Sequence, residues 1–431
     1  MNKSLKSNIS KLYLIKIAKW FMLFMPFMIP FYQDNGLTFS QIAILKAIYS
    51  ISIVVLEIPS GYLADVLGRK KTLIIGTILG FIGFFTYSIS YGLIGFIIAE
   101  IILGFGQSLI SGADSAMLYD TLDDLGKKDE YTKYEGRVIS IGNLSETLAG
   151  IAGGILVGIS LRFPYFVQTG VALIAIPAAL TLIEPERKTT ALNFGFKYIL
   201  KIVQDSLYYN KALRWNILHS SIIGAATLTM ATLIVQKYLL LIEIPLFYFG
   251  IIWPVLNITV GAVALYAYKI EKRLKKTNSL ILISIFIPLG FIALSQVVGY
   301  WGLLILFIFY IFRGFATPIL KDYINQLCNS DVRATVLSVR NFVIRIFFAI
   351  IGPFVGWQTD KVSLQSAILI TGLIFLVFAS FTLVMQLKVL KTILNTYVKI
   401  MLTTIFYIFF STTCFYTCCM IEHHVSVKYI Y

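Results

Sequence analysis

Apolar stretches of about twenty residues recur a dozen times along this chain, and no other feature narrows its fold as far. A helix rises about 1.5 Å per residue, so about 20 residues cross the hydrocarbon core of a bilayer. Such runs stand near 12–33, 38–62, 72–91, 93–119, 136–160, 163–183, 212–240, 246–268, 279–297, 299–320, 334–357 and 364–387. Barrel strands are excluded by length, because they are only about ten residues long and alternate in polarity. A soluble core is excluded by composition. With 58% hydrophobic and 13% charged residues, against about a quarter charged in soluble domains, the polar side chains cannot cover a globule in water.

Lysine and arginine in the connections set the orientation. With a cytoplasmic N-terminus, the inner segments hold Lys3, Lys6, Lys11, Arg69, Lys70, Lys71 and some twenty more. The outer segments hold only Arg162, Lys237 and Lys361. Both ends of the twelve-span unit are therefore expected in the cytoplasm. The net charge of +15 follows from this bias and from attraction to anionic lipid heads, so no nucleic-acid partner is called for. The basic start before an apolar run has the look of a signal peptide, but no small-residue cleavage site follows it. It reads as a retained first helix.

The longest polar break, 184–211, opens on Glu184-Pro185-Glu186 and then mixes Phe194, Phe196, Tyr198 and Ile199 with lysines. That mixture suits a short helix lying on the membrane surface. It divides the chain into a six-helix bundle over 1–183 and another over 212–388, with a tail over 389–431. Segments 140–158 and 338–356 align without gaps at Ser140/Ser338, Asn143/Asn341, Gly154/Gly352 and Gly158/Gly356, as parallel halves would. Residues 400–420 are apolar and long enough for a thirteenth span. The alternatives for this tail are a surface-lying or disordered extension, or a product of a non-native reading frame. Cys414, Cys418, Cys419, His423 and His424 crowd it. They read as incidental, so neither a metal nor another cofactor is expected.

The loop between the second and third runs reads GYLADVLGRKKTL, from Gly61 to Leu73. It resembles the signature loop of the major facilitator superfamily, at the right place in a chain of the right size. The resemblance spans roughly residues 10–388 and implies an all-α membrane fold of two six-helix bundles. Gly61 permits close helix approach and Gly68 a tight turn. The resemblance implies that Asp65 locks against the start of the eleventh span near Arg333, whose helix N-terminus also favours an anion. It also implies that Arg69 pairs with an acid at the inner end of the fourth span, for which Asp120 is the choice. The second half carries a decayed copy, Ala267 to Lys276, in which Glu271 stands where Asp65 does.

Ionisable groups at membrane depth are costly and usually face a cavity or a partner. The first half supplies Glu57, Glu100, Asp114 and Glu146, and the second Arg313, Arg340 and Arg345. Lys16, Lys19 and Lys46 are placed near span ends, where a long stem can snorkel to the interface. Two uses compete for the acids. One is proton exchange by Glu146 or Glu100; the other is structural pairing with the arginines. Within the family, drug-efflux members carry an arginine where Glu100 stands, and antiporters often carry Gly-Pro-x-x-Gly-Gly where Ala149 to Gly154 keeps only the final pair. Trp20, Trp253 and Trp301 are candidates to stack on a planar substrate, although packing or lipid contact is the commoner use.

The expected function is alternating-access transport by a monomer, driven by protons, with export of a small amphipathic or drug-like compound. Uptake of an anionic nutrient, with Arg313 and Arg345 as counter-charges, is the alternative. A transporter-like membrane sensor is the other. No G-x-x-x-x-G-K-[ST] loop is present, which argues against a self-contained ATP pump. No enzymatic activity is expected.

Overall fold

The computed structural model describes residues 2–185, 203–328 and 332–389. Most of the expected surface helix and the whole of the 400–420 segment lie outside them. Among the described residues the chain is helical, with no strand. α1 (Asn2–Trp20) and α2 (Met28–Asp34) form the first crossing, joined through a tight turn at Met25–Phe27 that carries Pro26. α3 (Phe39–Leu67), α4 (Arg69–Ile89), α5 (Leu93–Asp124), α6 (Tyr131–Leu156) and α7 (Phe163–Leu180) complete the first half. α8 (Lys211–Thr229) and α9 (Val235–Leu241) flank a wide turn at Met230–Ile234. α10 (Leu246–Gln296), α11 (Trp301–Asn325), α12 (Arg333–Lys361) and α13 (Leu364–Val389) follow.

Local chemistry explains the ends. The Thr38 hydroxyl accepts from the Gln41 amide at 3.3 Å, and the Gln41 carbonyl oxygen accepts from the Thr38 amide at 2.9 Å. This reciprocal cap starts α3. Gly68, at φ 107°, makes the turn into α4 that a side chain would strain.

The sequence reading placed a loop between the eighth and ninth runs. The structure agrees: within α10 the helical geometry breaks at Lys275, at φ 66° and ψ 159°. Helix formers in KIEKRLKK extend the first arm up to that break, so the connection is tight. Val260, on the first arm, packs on Gly314 of α11, and Gly290, on the second, packs on Phe309. Both arms thus lie along one stretch of α11, so the chain reverses at Lys275 and crosses twice. Eleven continuous helices among the described residues have the length and hydropathy to span a membrane; this break makes the twelve crossings.

The halves join at the end opposite the N-terminus. The Asp360 carboxylate accepts from the Phe39 and Ser40 amides at 3.2 and 2.7 Å. The Gln236 side chain accepts from the Ile29 amide and donates to the Met25 carbonyl, each at 2.9 Å. On the other flank α6 meets α10. A Cβ added to Gly250 would stand 2.7 Å from the Gly150 oxygen and 2.9 Å from the Gly154 Cα. Small residues here let the two backbones touch. The cavities between the halves lie below this seal, toward the N-terminal end.

Candidate transport site

The first cavity has a volume of about 270 Å³. It reaches from Met28 and Glu100 down to Ile15 and Ile110. Glu100 stands seven residues into α5, which puts it about 10 Å below the sealed end. The walls are mostly apolar and aromatic, with Met22, Met25, Phe24, Phe84, Tyr49 and Phe348 among them.

A polar chain closes one side. Glu100 is 2% exposed and Lys46 7%. The Lys46 ammonium bonds Glu100 Oε1, and the Tyr32 hydroxyl donates to the same oxygen at 2.9 Å. Because Tyr32 gives its proton to Glu100, Tyr87 must be the donor in their 2.5 Å contact. Lys46 also lies 5.1 Å from the centre of the Tyr32 ring, close enough for a cation–π contribution. The expectation that Lys46 snorkels to the interface is therefore corrected. It lies two turns inside α3, and the partner that holds it there is an acid on α5. The span start near 38 agrees with the Thr38 cap; the inward partner is what the sequence does not disclose.

Lys16 and Lys19 need the same correction. Both turn inward to Asp114, at 3.6 and 3.9 Å. Asp114 is thus neutralised by α1, away from the large cavity and beside a small void.

A second cavity of about 310 Å³ lies against the second half. It is lined by Arg313 and Lys321 of α11 and by Arg340 and Arg345 of α12, with Thr227 and Asn341. Arg340 is 5% exposed; its Nε donates to the Ser220 hydroxyl at 2.5 Å and its Nη1 to Asn341 Oδ1 at 3.3 Å. Arg345 and Leu228 line both cavities, so the two meet at the middle of the molecule.

The other residues singled out by sequence are dispersed. Glu146 accepts from Trp253 Nε1 at 3.4 Å in the α6–α10 contact, within electrostatic range of Arg313 but outside the cavity lining. Glu57 is half-buried with one oxygen unpartnered, and its nearest charge is Arg345. None of the three tryptophans lines the first cavity. Trp253 is packed in the interface, Trp301 is 77% exposed, and Trp20 sits under Lys16. The aromatic wall is phenylalanine and tyrosine instead.

At the signature loop, Arg69 Nε stands 3.4 Å from Asp120 Oδ2. Glu184 accepts from the Arg69 and Lys70 amides, both at 2.8 Å, an acid on a helix N-terminus that the sequence reading missed. Positions 61 and 65 fall within α3 with their side chains outside the described residues, so the expected contact of Asp65 with Arg333 does too. Arg333 is exposed and beside Cys328. Glu271 accepts from the Tyr323 hydroxyl at 2.7 Å, an internal tie of the second half. Sequence reasoning also passed over His219. It is buried between Thr382 and Ser284 at 3.1 and 3.3 Å, in the polar core of the second half.

Helices long and apolar enough to cross a membrane, packed around central cavities with charged walls, make a multi-pass membrane protein of the transporter class once the family match is added. The Major Facilitator Superfamily profile matches residues 17–353, and the chain belongs to that family. It is similar to the quinolone resistance protein NorA of Staphylococcus aureus, 24% identical over 172 residues. That match covers 40% of this chain and 43% of the relative, so it spans less than half the length of that protein. Among solved structures it resembles the nucleoside transporter NupG, with a TM-score of 0.72, 16% identity, and coverage of 89% of this chain and 99% of the other. It also resembles an inward-facing bacterial homologue of the lysosomal transporter Spinster, with a TM-score of 0.72, 12% identity, and coverage of 90% and 97%. At these identities the structures establish the fold alone.

Proposed function

We propose that this chain is a monomeric alternating-access transporter that exports a small amphipathic compound in exchange for protons, with Glu100 as the proton carrier. One observation carries the reading. Among the described residues, the cavity walled by methionine and aromatic side chains is lined by a single carboxylate, Glu100. That carboxylate is held by a tethered cation and a tyrosine pair. A buried acid with a built-in counter-ion has two arrangements. Either it is ionised and clamped to Lys46, a neutral pair, or it has taken up a proton, and the Lys46 ammonium is released with its positive charge uncompensated. Alternation between them ties proton uptake to a change in the packing of α3 against α5. The similarity to NorA, a quinolone resistance protein, agrees with export.

The charge bias of the connections puts the N-terminal end in the cytoplasm. With the opposite end sealed, the described state then faces inward, both termini of the twelve-span unit being cytoplasmic. The contacts of Asp360, Gln236 and the Gly250–Gly154 pair form the outer gate. The expected Asp65–Arg333 contact would form the inner lock between the halves, while the Arg69–Asp120 pair ties two helices of the first half and is made with the inner side open.

The test is the internal pH of everted membrane vesicles containing the full chain while amphipathic compounds are added outside. Antiport predicts that the acidified interior loses protons, and that Glu100→Gln abolishes the loss. A compound that carries protons inward overturns export in favour of symport. Absence of any proton movement across the panel overturns proton coupling.

A further inference from the structure

The second cavity holds more positive charge than the transport reading has used. Among the described residues, no carboxylate lies within ion-pair distance of Arg313, Lys321, Arg340 or Arg345. The nearest acids act from farther off. Glu146 is committed to Trp253, and Glu57 faces Arg345 beyond bonding range. On the opposite wall Lys46 is paired with Glu100, and Lys19 shares Asp114 with Lys16. What is left is a basic wall at membrane depth.

Unpaired ionised groups are expensive there and seldom persist for stability. Arg340 is the clearest case, since it is nearly fully buried and is met by a serine and an asparagine rather than an acid. Guanidinium groups present paired N–H donors whose spacing fits an oxyanion. Gly224 and Ala316 also line this cavity, Gly224 packed closely on Ile344. A Cβ at Gly224 would stand 2.5 Å from the Ile344 side chain and 3.5 Å from Arg340. Arg345 belongs to both cavities, so a single ligand can occupy both. Together their volumes fall in the range of about 300–1,000 Å³ that holds drug-sized ligands.

We propose that the cluster of Arg313, Arg340 and Arg345, with Lys321 at its mouth, binds the carboxylate or phosphate of an amphipathic substrate whose apolar body fills the first cavity. This deepens the transport reading and rests on it for the identity of the cavity. Combined with proton antiport it has an electrical consequence. An anion leaving and a proton arriving move two charges in the same sense, so export is driven by a negative-inside potential as well as by pH.

The test is binding by the full chain in detergent, read as thermal stabilisation over a concentration series. The probes share one apolar body: phenylbutyrate, phenylbutylphosphonate, phenylbutyramide and phenylbutylamine. The expected result is that one or both anions bind at least about tenfold more tightly than the amide and the amine. Binding of the carboxylate alone, or of the phosphonate alone, names the substrate group. Arg345→Gln and Arg313→Gln each weaken anion binding by about 10- to 100-fold, as loss of one charge-assisted pair does, and leave amide binding unchanged. Both substitutions remove an unpaired charge, so the unliganded melting temperature should hold, which checks the fold. The proposal is overturned if the amine or amide binds as tightly as the anions. It is equally overturned if folded arginine variants keep full anion affinity, or if no probe binds. The assay contains no gradient. Anion binding without proton movement overturns antiport alone, while proton exchange for the amine overturns this proposal alone.

Discussion

Replacing Lys46 with methionine should destabilise the protein far more than replacing Lys46 and Glu100 together. In the single variant Glu100 remains 2% exposed and loses its only cation within bonding range, keeping just the hydroxyl of Tyr32 at 2.9 Å. Leaving one member of a buried pair without the other typically costs about 3–5 kcal/mol. Methionine matches the lysine stem in length, so lost packing adds little. Glu100→Gln alone strands the ammonium and should cost a similar amount. In Lys46→Met/Glu100→Gln no charge is stranded, Tyr32 keeps an acceptor, and the loss should fall to about 1 kcal/mol. The assay is a double-mutant cycle on unfolding by dodecyl sulfate in mixed micelles. A Lys46→Met variant as stable as the parent, or a double variant as weak as the sum of the singles, would refute the argument that this pair is ionised and buried in the dominant state.

Three further outcomes follow from other contacts. Gly250→Val forces a side chain against backbone atoms of α6, costs the sealed state about 1–3 kcal/mol, and should raise maleimide labelling of a cysteine placed at Ser40; unchanged labelling contradicts the seal. Glu184→Gln removes the charge from two amide bonds of 2.8 Å at the start of α4 and should lower unfolding stability by about 1–2 kcal/mol. The Cys328 thiol is pushed up chiefly by burial, with Arg333 pulling the other way. Its maleimide labelling should therefore be slower at neutral pH than that of an exposed thiol and still climb through the pH at which a free thiol levels off. Labelling that levels off with the free thiol would remove the burial argument.

What the sequence discloses here is whatever is local. Apolar length places the spans, and the Gly61–Leu73 loop marks the family, because both are properties of contiguous residues. Pairings between helices are not local. Glu100 and Lys46 stand 54 positions apart, and nothing in either neighbourhood names the other. The span start near 38 is read correctly, but Lys46 is misplaced because the acid that holds it, Glu100, lies on another helix. Counting depth from span ends likewise sends Lys16 and Lys19 outward when Asp114 draws them in. The three tryptophans are candidates for the cavity with packing or lipid contact the commoner expectation, and the structure uses Trp253 to bond Glu146 at the interface. The polar stretch inside α10 does hold the expected connection, but its helix-forming residues shorten it to the break at Lys275.

The central claim is that the two ends of the molecule open in alternation. Spin labels at Tyr91 and Tyr300, both exposed at the sealed end, and at Lys127 and Lys272 at the other, report the two gaps by electron–electron distance measurement. With a transported compound and a proton gradient, the first distance should lengthen while the second shortens. Distances that stay fixed, or that lengthen together, would contradict alternating access in this chain.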